Sequence, residues 1–140
     1  MKLVRFFYCM QTIYQELKVW RYAFDLTIKM YDVVALLPPC ESHNIADQIR
    51  RSAVSLPLNI AEGASCNSAK VYLNHLHYAY SSGQELGVLL MLCFKLKYID
   101  KKMFDNKYDE LDHFLRSLYR FIVNKERKEA QKKLPFLDKK

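Results

Sequence analysis

Glycine and proline are scarce. Three glycines and four prolines in 140 residues leave too little punctuation for many short strands joined by tight turns, and predict a few long helices instead. Cysteine is sparse and scattered: Cys9, Cys40, Cys66 and Cys93 form no CxxC pair and no dense framework, which fits reduced thiols rather than a disulfide scaffold. No stretch approaches the roughly 18 uninterrupted apolar residues that would cross a bilayer. Lys2 and Arg5 precede Phe6, Phe7 and Tyr8, but that apolar run ends at Gln11 with no small-residue cleavage site. No secretory signal is therefore predicted, and the cytoplasm is the expected location.

Chemistry-bearing motifs are also missing. There is no GxSxG around a serine and no motif around Cys40, Cys66 or Cys93, so no activated nucleophile is predicted. Three isolated glycines make neither a P-loop nor a GxGxxG. His75 and His77 are two apart and point about 200° from each other on a helix, so they cannot share an ion unaided. No Cys or carboxylate pair stands at a ligand spacing. The expectation is a protein that is not an enzyme and holds no cofactor or metal.

What is present is apolar surface at helical spacing. Hydrophobic residues make up 51% of the chain, and a chain of this length suits one domain burying roughly two-thirds of its unfolded surface. Residues 1–13 lack a clear period and read as a variable leader. A first helix is predicted over 14–37, with Lys18, Arg21, Asp25, Lys29 and Asp32 tracing one narrow polar stripe. Two apolar ridges flank it: Ile13, Leu17, Trp20, Phe24, Ile28 and Tyr31, and Val19, Ala23, Leu26, Met30, Val33 and Leu37. So wide an apolar face implies a helix that is either central to its bundle or buried on a second side by another subunit. Pro38 and Pro39 stop this helix.

A second helix is expected over 45–62, a third over 69–99 and a fourth over 101–124. In the second, Ile49, Ala53, Leu56 and Ile60 line one face, and Pro57 removes a backbone donor in mid-helix, a defect of about 3 kcal/mol. A bend is expected there, and the carbonyl freed at Ala53 needs a partner, with Asn59 or Ser55 as candidates. Gly63 reads as a terminator able to take positive φ. Asn67 or Ser68 can cap the third helix. Its ridge is Tyr72, Leu76, Ala79, Gly83, Leu86, Leu90 and Cys93, with Gly83 and Gly87 implying close packing. Asp100 caps the fourth helix, and Phe104, Tyr108, Leu111, Leu115, Leu118 and Ile122 keep its period. Short connections imply an antiparallel up-down-up-down four-helix bundle.

Gln48-x-Arg50-Arg51-Ser52 followed by Ser55-x-Pro57-x-Asn59-Ile60-Ala61-Glu62-Gly63 resembles the signature of the four-helix-bundle proteins known as the 23S rRNA intervening-sequence family. Leu17-Lys18-Val19-Trp20-x-x-Ala23-x-x-Leu26 resembles that family's first helix. Leu73-x-x-x-x-x-Ala79-x-Ser81-Ser82-x-x-Glu85-Leu86 resembles its third. The chain is also similar in design to accessory proteins of diversity-generating retroelements. The resemblance implies a basic helical bundle that assembles as a pentamer and works with a reverse transcriptase or beside ribosomal RNA. It implies an architectural duty for Arg50, Arg51, Ser55, Pro57, Asn59, Glu62, Gly63, Ser82 and Glu85. One departure stands out: the arginine often found shortly after the Glu-Gly pair is replaced by Ala64-Ser65-Cys66-Asn67.

Net charge is +7, and it is uneven. From Arg116 to the C-terminus nine basic residues face three acidic ones, so residues 125–140 read as a basic tail suited to an anionic polymer. The candidate phosphate contacts are Lys18, Arg21 and Lys29 on the first helix, Arg116 and Arg120 on the fourth, and Lys125, Arg127, Lys128, Lys132 and Lys133 beyond. Arg50, Arg51, Glu62 and Glu85 form a further polar group, read either as an anion or RNA contact or as ion pairing between the second and third helices. Two functions follow: an oligomeric scaffold binding RNA or DNA through phosphates, or a purely structural, protein-interaction oligomer whose charge keeps it soluble.

Overall fold

The computed structural model describes residues 14–133. The expected leader 1–13 and the end of the expected tail, 134–140, lie outside the described residues. Four helices make the bundle: α1 Lys18–Val34, α2 Ile45–Ala64, α3 Ala69–Lys95 and α4 Lys101–Lys133, with a single 3-10 turn, Pro39–Glu41, after α1. Each helix packs on its sequence neighbour, and α4 closes back onto α1. Tyr22 meets Phe114 while Asp32 meets Lys107, so α1 and α4 run antiparallel. Ser55 meets Ser82 while Asn59 meets His75, so α2 and α3 do as well.

The core is built from the expected ridges. Ile49, Ala53, Leu56 and Ile60 of α2 are wholly buried, as are Leu76, Ala79, Leu86, Leu90 and Cys93 of α3. In α1 the ridge Val19, Ala23, Leu26, Met30 and Val33 is buried, whereas Phe24, Ile28 and Tyr31 are 46%, 56% and 46% exposed. In α4 the buried line is Leu111, Phe114, Leu118 and Ile122, and Tyr108 turns outward. Lys107 falls on that same buried line, and its Nζ lies 3.3 Å from Asp32 Oδ2 across the α1–α4 seam. A lone lysine on an apolar ridge is a signal the spacing carries, since 107, 111, 114, 118 and 122 share one helix face.

Helix limits differ from expectation at both ends of α1, where Val34 rather than 37 is last, at the end of α2, which runs to Ala64 rather than 62, and at the ends of α3 and α4. α1 begins at Lys18 with Leu17 as N-cap, because residues 14–16 form only a turn. α3 stops at Lys95 rather than Ile99, in a paired cap: the Tyr98 N–H bonds the Cys93 carbonyl at 2.9 Å and the Lys97 N–H bonds that of Phe94 at 3.0 Å. This satisfies two orphan carbonyls and puts Lys97 at φ 61°, in the left-handed region usually given to glycine. α4 runs through Lys133 rather than ending at 124, so the expected tail is helical for its first nine residues. Ser68 caps α3 by accepting from the Val71 N–H at 3.4 Å, and Asp100 caps α4 by accepting from the Met103 N–H at 2.7 Å.

Gly63 does not end α2, and no described glycine has positive φ. Its role is close approach. A Cβ there would lie 2.7 Å from a Tyr72 ring carbon and 2.9 Å from the His75 Cβ, so α2 and α3 could not pack at this distance with any larger residue. At Gly83 the close atom, 2.6 Å away, is the tip of the flexible Leu115 side chain, which can shift, and Gly87 has ordinary room, its nearest neighbour being 3.6 Å away.

Candidate nucleic-acid interface

Pro57 sits inside the unbroken α2. The carbonyl it frees belongs to Ala53, and its partner comes from another helix: Thr27 Oγ1 of α1 lies 2.7 Å from the Ala53 oxygen and 2.8 Å from the Ala23 oxygen. Neither Asn59 nor Ser55 fills that role. They belong instead to a polar chain between α2 and α3. The Asn59 side-chain amide donates to the Ser55 carbonyl at 3.0 Å and to the Ser55 hydroxyl at 2.9 Å. Its Oδ1 lies 3.0 Å from His75 Nδ1, and Ser55 Oγ lies 2.8 Å from Ser82 Oγ. With the Asn59 amide spent on Ser55, the oxygen must accept from His75 Nδ1–H. Ser55 and Ser82 share one hydrogen bond in which either hydroxyl can donate, so one of their two hydroxyl hydrogens is left unused.

The expected ion pairing of the Arg50, Arg51, Glu62 and Glu85 group across α2 and α3 does not form. Arg50 stays local, donating to the Ser42 carbonyl at 3.3 Å with Asp47 3.9 Å away. Glu62 lies 3.6 Å from His75. Arg51 and Glu85 make no ion pair among the described residues, yet both line one cleft between α2 and α3.

The ten candidate cations fall into unequal groups. On α1, Arg21 donates to the Gln15 carbonyl at 2.7 Å and Lys29 pairs with Glu110 at 3.2 Å, leaving Lys18 alone. On α4, Arg116 is held by Asp112 at 2.8 Å and Lys132 by Glu129 at 2.7 Å. Lys125 folds back so that Nζ lies 3.9 Å over the Tyr72 ring, and burial, helped by Lys128 and Lys132, pulls its pKa down against the raising effect of Glu129. Arg120, Arg127 and Lys128 are exposed and make no ion pair among the described residues. Arg116, Arg120 and Arg127 lie along one stripe of α4, while Lys125, Lys128 and Lys132 form a second, roughly a third of a turn away. Lys133 ends α4. Lys125 and Lys128 also line a pocket with Leu17, so Lys18 belongs to the same end of the bundle. Lys18 and the cations from Lys125 onward thus share one end of the bundle, whereas Lys29, beside Glu110, lies farther along, and no single patch forms.

Elsewhere the side chains are structural. Burial pushes the Cys93 thiol up to about 11, which leaves it protonated and inert. His75 turns to Asn59 and Glu62, whereas His77 turns to Glu126 at 3.3 Å. No helix is long and apolar enough to cross a membrane among the described residues. An apolar groove of about 560 Å³ between α3 and α4 is floored by Gly83, Gly87, Leu111 and Leu115 and rimmed by Met91 and Tyr119.

Among curated proteins none matches the chain. A solved structure described as a protein with unknown function from the S23 ribosomal protein family, from Bacteroides thetaiotaomicron, is similar at 21% identity with a TM-score of 0.68, covering 74% of this chain and 97% of its own. At that identity the likeness shows a shared fold. Residues 15–120 match the family described as 23S rRNA-intervening sequence protein, a span that takes in α1, α2, α3, the Pro57 motif and most of α4, and the chain belongs to that family.

Proposed function

We propose that the protein is a non-catalytic, self-associating helical scaffold that holds RNA or DNA by its phosphates. The observation that carries this reading is the set Arg120, Arg127 and Lys128, exposed on the last turns of α4 with no carboxylate partner among the described residues. Cations kept free of local partners on a rigid helix are positioned for an anionic polymer. A bundle of this kind has no base-reading module of the RRM or KH type, so binding would be weakly specific and steeply salt-dependent. The setting that suits such a scaffold is beside a reverse transcriptase or ribosomal RNA in the cytoplasm.

Self-association is supported by two unpartnered surfaces, the Phe24–Ile28–Tyr31 ridge of α1 and the α3–α4 groove. They lie on different sides of the bundle, so copies would join head to tail, as in a closed ring. A pentamer is the favoured count. The competing reading, a purely structural oligomer, draws on the local ion pairs that already hold Arg116, Lys132 and Lys29.

The test is a salt titration with a short single-stranded RNA and DNA. Each neutralised phosphate adds about −0.7 to the slope of log K against log salt, so changing Arg120, Arg127 and Lys128 together to Gln should flatten the slope by about 2. An affinity no better than about 10⁻⁴ M at low salt and indifferent to salt would exclude the nucleic-acid reading.

A further inference from the structure

The cleft between α2 and α3, about 460 Å³, is lined by Gln48, Arg51, Ser52, Ser55, Ser82 and Glu85. All six are polar, unlike the lining of the α3–α4 groove. Besides Glu85, which is exposed and makes no ion pair among the described residues, three of them have unspent hydrogen-bonding capacity. Arg51 is exposed and makes no ion pair among the described residues. Either hydroxyl can donate in the Ser55–Ser82 bond at the end of the His75–Asn59–Ser55 chain, so Ser82 is able to accept from Ser55 and turn its own hydrogen to a ligand. Ser52 is 3% exposed, and its Oγ is buried without a hydrogen-bond partner among the described residues. A buried hydroxyl left unpaired in a polar cleft is a cost that a bound group would remove.

Arg51 and Ser52 supply donors from α2, while Ser82 and the one carboxylate, Glu85, stand a turn apart on α3. An anion alone fits poorly, because Glu85 would repel it. A ligand fits when it offers an anionic group to Arg51 and Ser82 and a hydroxyl donor to Glu85. One ribonucleotide of an RNA strand has both, in its phosphate and its 2′-hydroxyl, and a deoxyribonucleotide lacks the second. Tyr78 adds a third contact. It is 60% exposed and stands one helical turn before Ser82 on the same face of α3, where an unstacked base can lie on its ring.

Building on nucleic-acid binding as the protein's function, we propose that this cleft holds one ribonucleotide of single-stranded RNA. The phosphate lies on Arg51 and Ser82, the 2′-hydroxyl on Glu85 and the base on Tyr78, and this makes the protein prefer RNA to DNA. The test compares a short single-stranded RNA with DNA of the same sequence, using fluorescence anisotropy at fixed low salt and light scattering of each variant. Arg51 and Glu85 are exposed and make no ion pair among the described residues, so both variants should keep the parent's helicity and melting temperature. Wild type should bind RNA roughly tenfold more tightly than DNA. Glu85→Ala should weaken RNA binding by about that factor while DNA binding holds or improves, because a carboxylate near phosphate is removed. Arg51→Ala and Tyr78→Ala should weaken both.

An RNA-to-DNA ratio unchanged by Glu85→Ala overturns the proposal. So does a change in assembly mass with no change in RNA affinity, which would make the cleft a subunit contact. If cleft variants are silent while the Arg120, Arg127 and Lys128 variant loses affinity, the cleft assignment fails and the phosphate-binding function stands. If wild type binds neither polymer, both fail.

Discussion

At residue scale the fold turns on how Pro57 is tolerated. Proline in a helix interior deletes one hydrogen bond and crowds the carbonyl four residues earlier. Here that carbonyl, on Ala53, meets the Thr27 hydroxyl at 2.7 Å, so the defect in α2 is repaired by α1 and ties the two helices in register. Thr27→Val keeps the shape and removes the donor, leaving a part-buried carbonyl unpaired, which should lower stability by about 1–3 kcal/mol. With Pro57→Ala in the same chain, the backbone N–H restored at that position can reach the Ala53 carbonyl, and the loss from Thr27→Val should fall by at least half. Urea unfolding of the two single variants and the double variant measures this coupling directly. Equal losses in both backgrounds would mean that Thr27 does not serve the freed carbonyl.

At the scale of elements, the C-terminus of α3 shows what local spacing conceals. The cap at Lys97 makes both bonds of the glycine motif, Tyr98 to Cys93 and Lys97 to Phe94, with a lysine at φ 61°. A side chain there costs roughly 1 kcal/mol, so Lys97→Gly should raise stability by up to about that amount, read as a higher urea midpoint at an unchanged m-value. A lower midpoint would show that the Lys97 side chain or the more restricted unfolded chain matters more than the backbone strain. With no glycine to mark it, this stop could not be read from the sequence. The ridges of α2 and α3 could, because Ile49, Ala53, Leu56 and Ile60, or Leu76, Ala79, Leu86 and Leu90, repeat at 3.6-residue spacing. The continuation of α4 was hidden for a different reason. Its apolar period fades after Asn124, but Lys125 packs over Tyr72, Glu126 reaches His77, Glu129 pairs with Lys132, and the run is rich in strong helix formers. For the candidate site, the motif pointed to Arg51, Ser55, Ser82 and Glu85. Ser52 stood in the motif as well, although its lack of a partner did not show there, and Thr27 was not visible, since a hydroxyl that answers a distant helix leaves no local pattern. Gly63 was visible but misread, because close approach and positive φ both select glycine.

At the scale of the whole molecule, the question is what covers the apolar surface that one bundle leaves bare. Phe24, Ile28 and Tyr31 project from α1, with Trp20 stacked on Phe24 at 5.2 Å. The α3–α4 groove with Met91 at its rim lies away from the α1 corner. If a convex aromatic ridge of one copy meets the concave groove of the next, a contact between unlike surfaces repeats, as a ring where the rotation closes and as a filament where it does not. Wild type should therefore scatter light as a multiple of the 16.6 kDa chain at micromolar concentration. Ile28→Glu spoils the ridge, Met91→Glu spoils the groove, and each should weaken assembly roughly hundredfold or more by placing a charge in an apolar contact. Mixing the two variants distinguishes the geometries. In a head-to-tail assembly each variant keeps one intact surface, so the mixture should form a dimer of one Ile28→Glu and one Met91→Glu chain and grow no further. If copies instead met ridge to ridge, only Ile28→Glu would disrupt the assembly, Met91→Glu would keep the parent mass, and mixing would yield no new dimer.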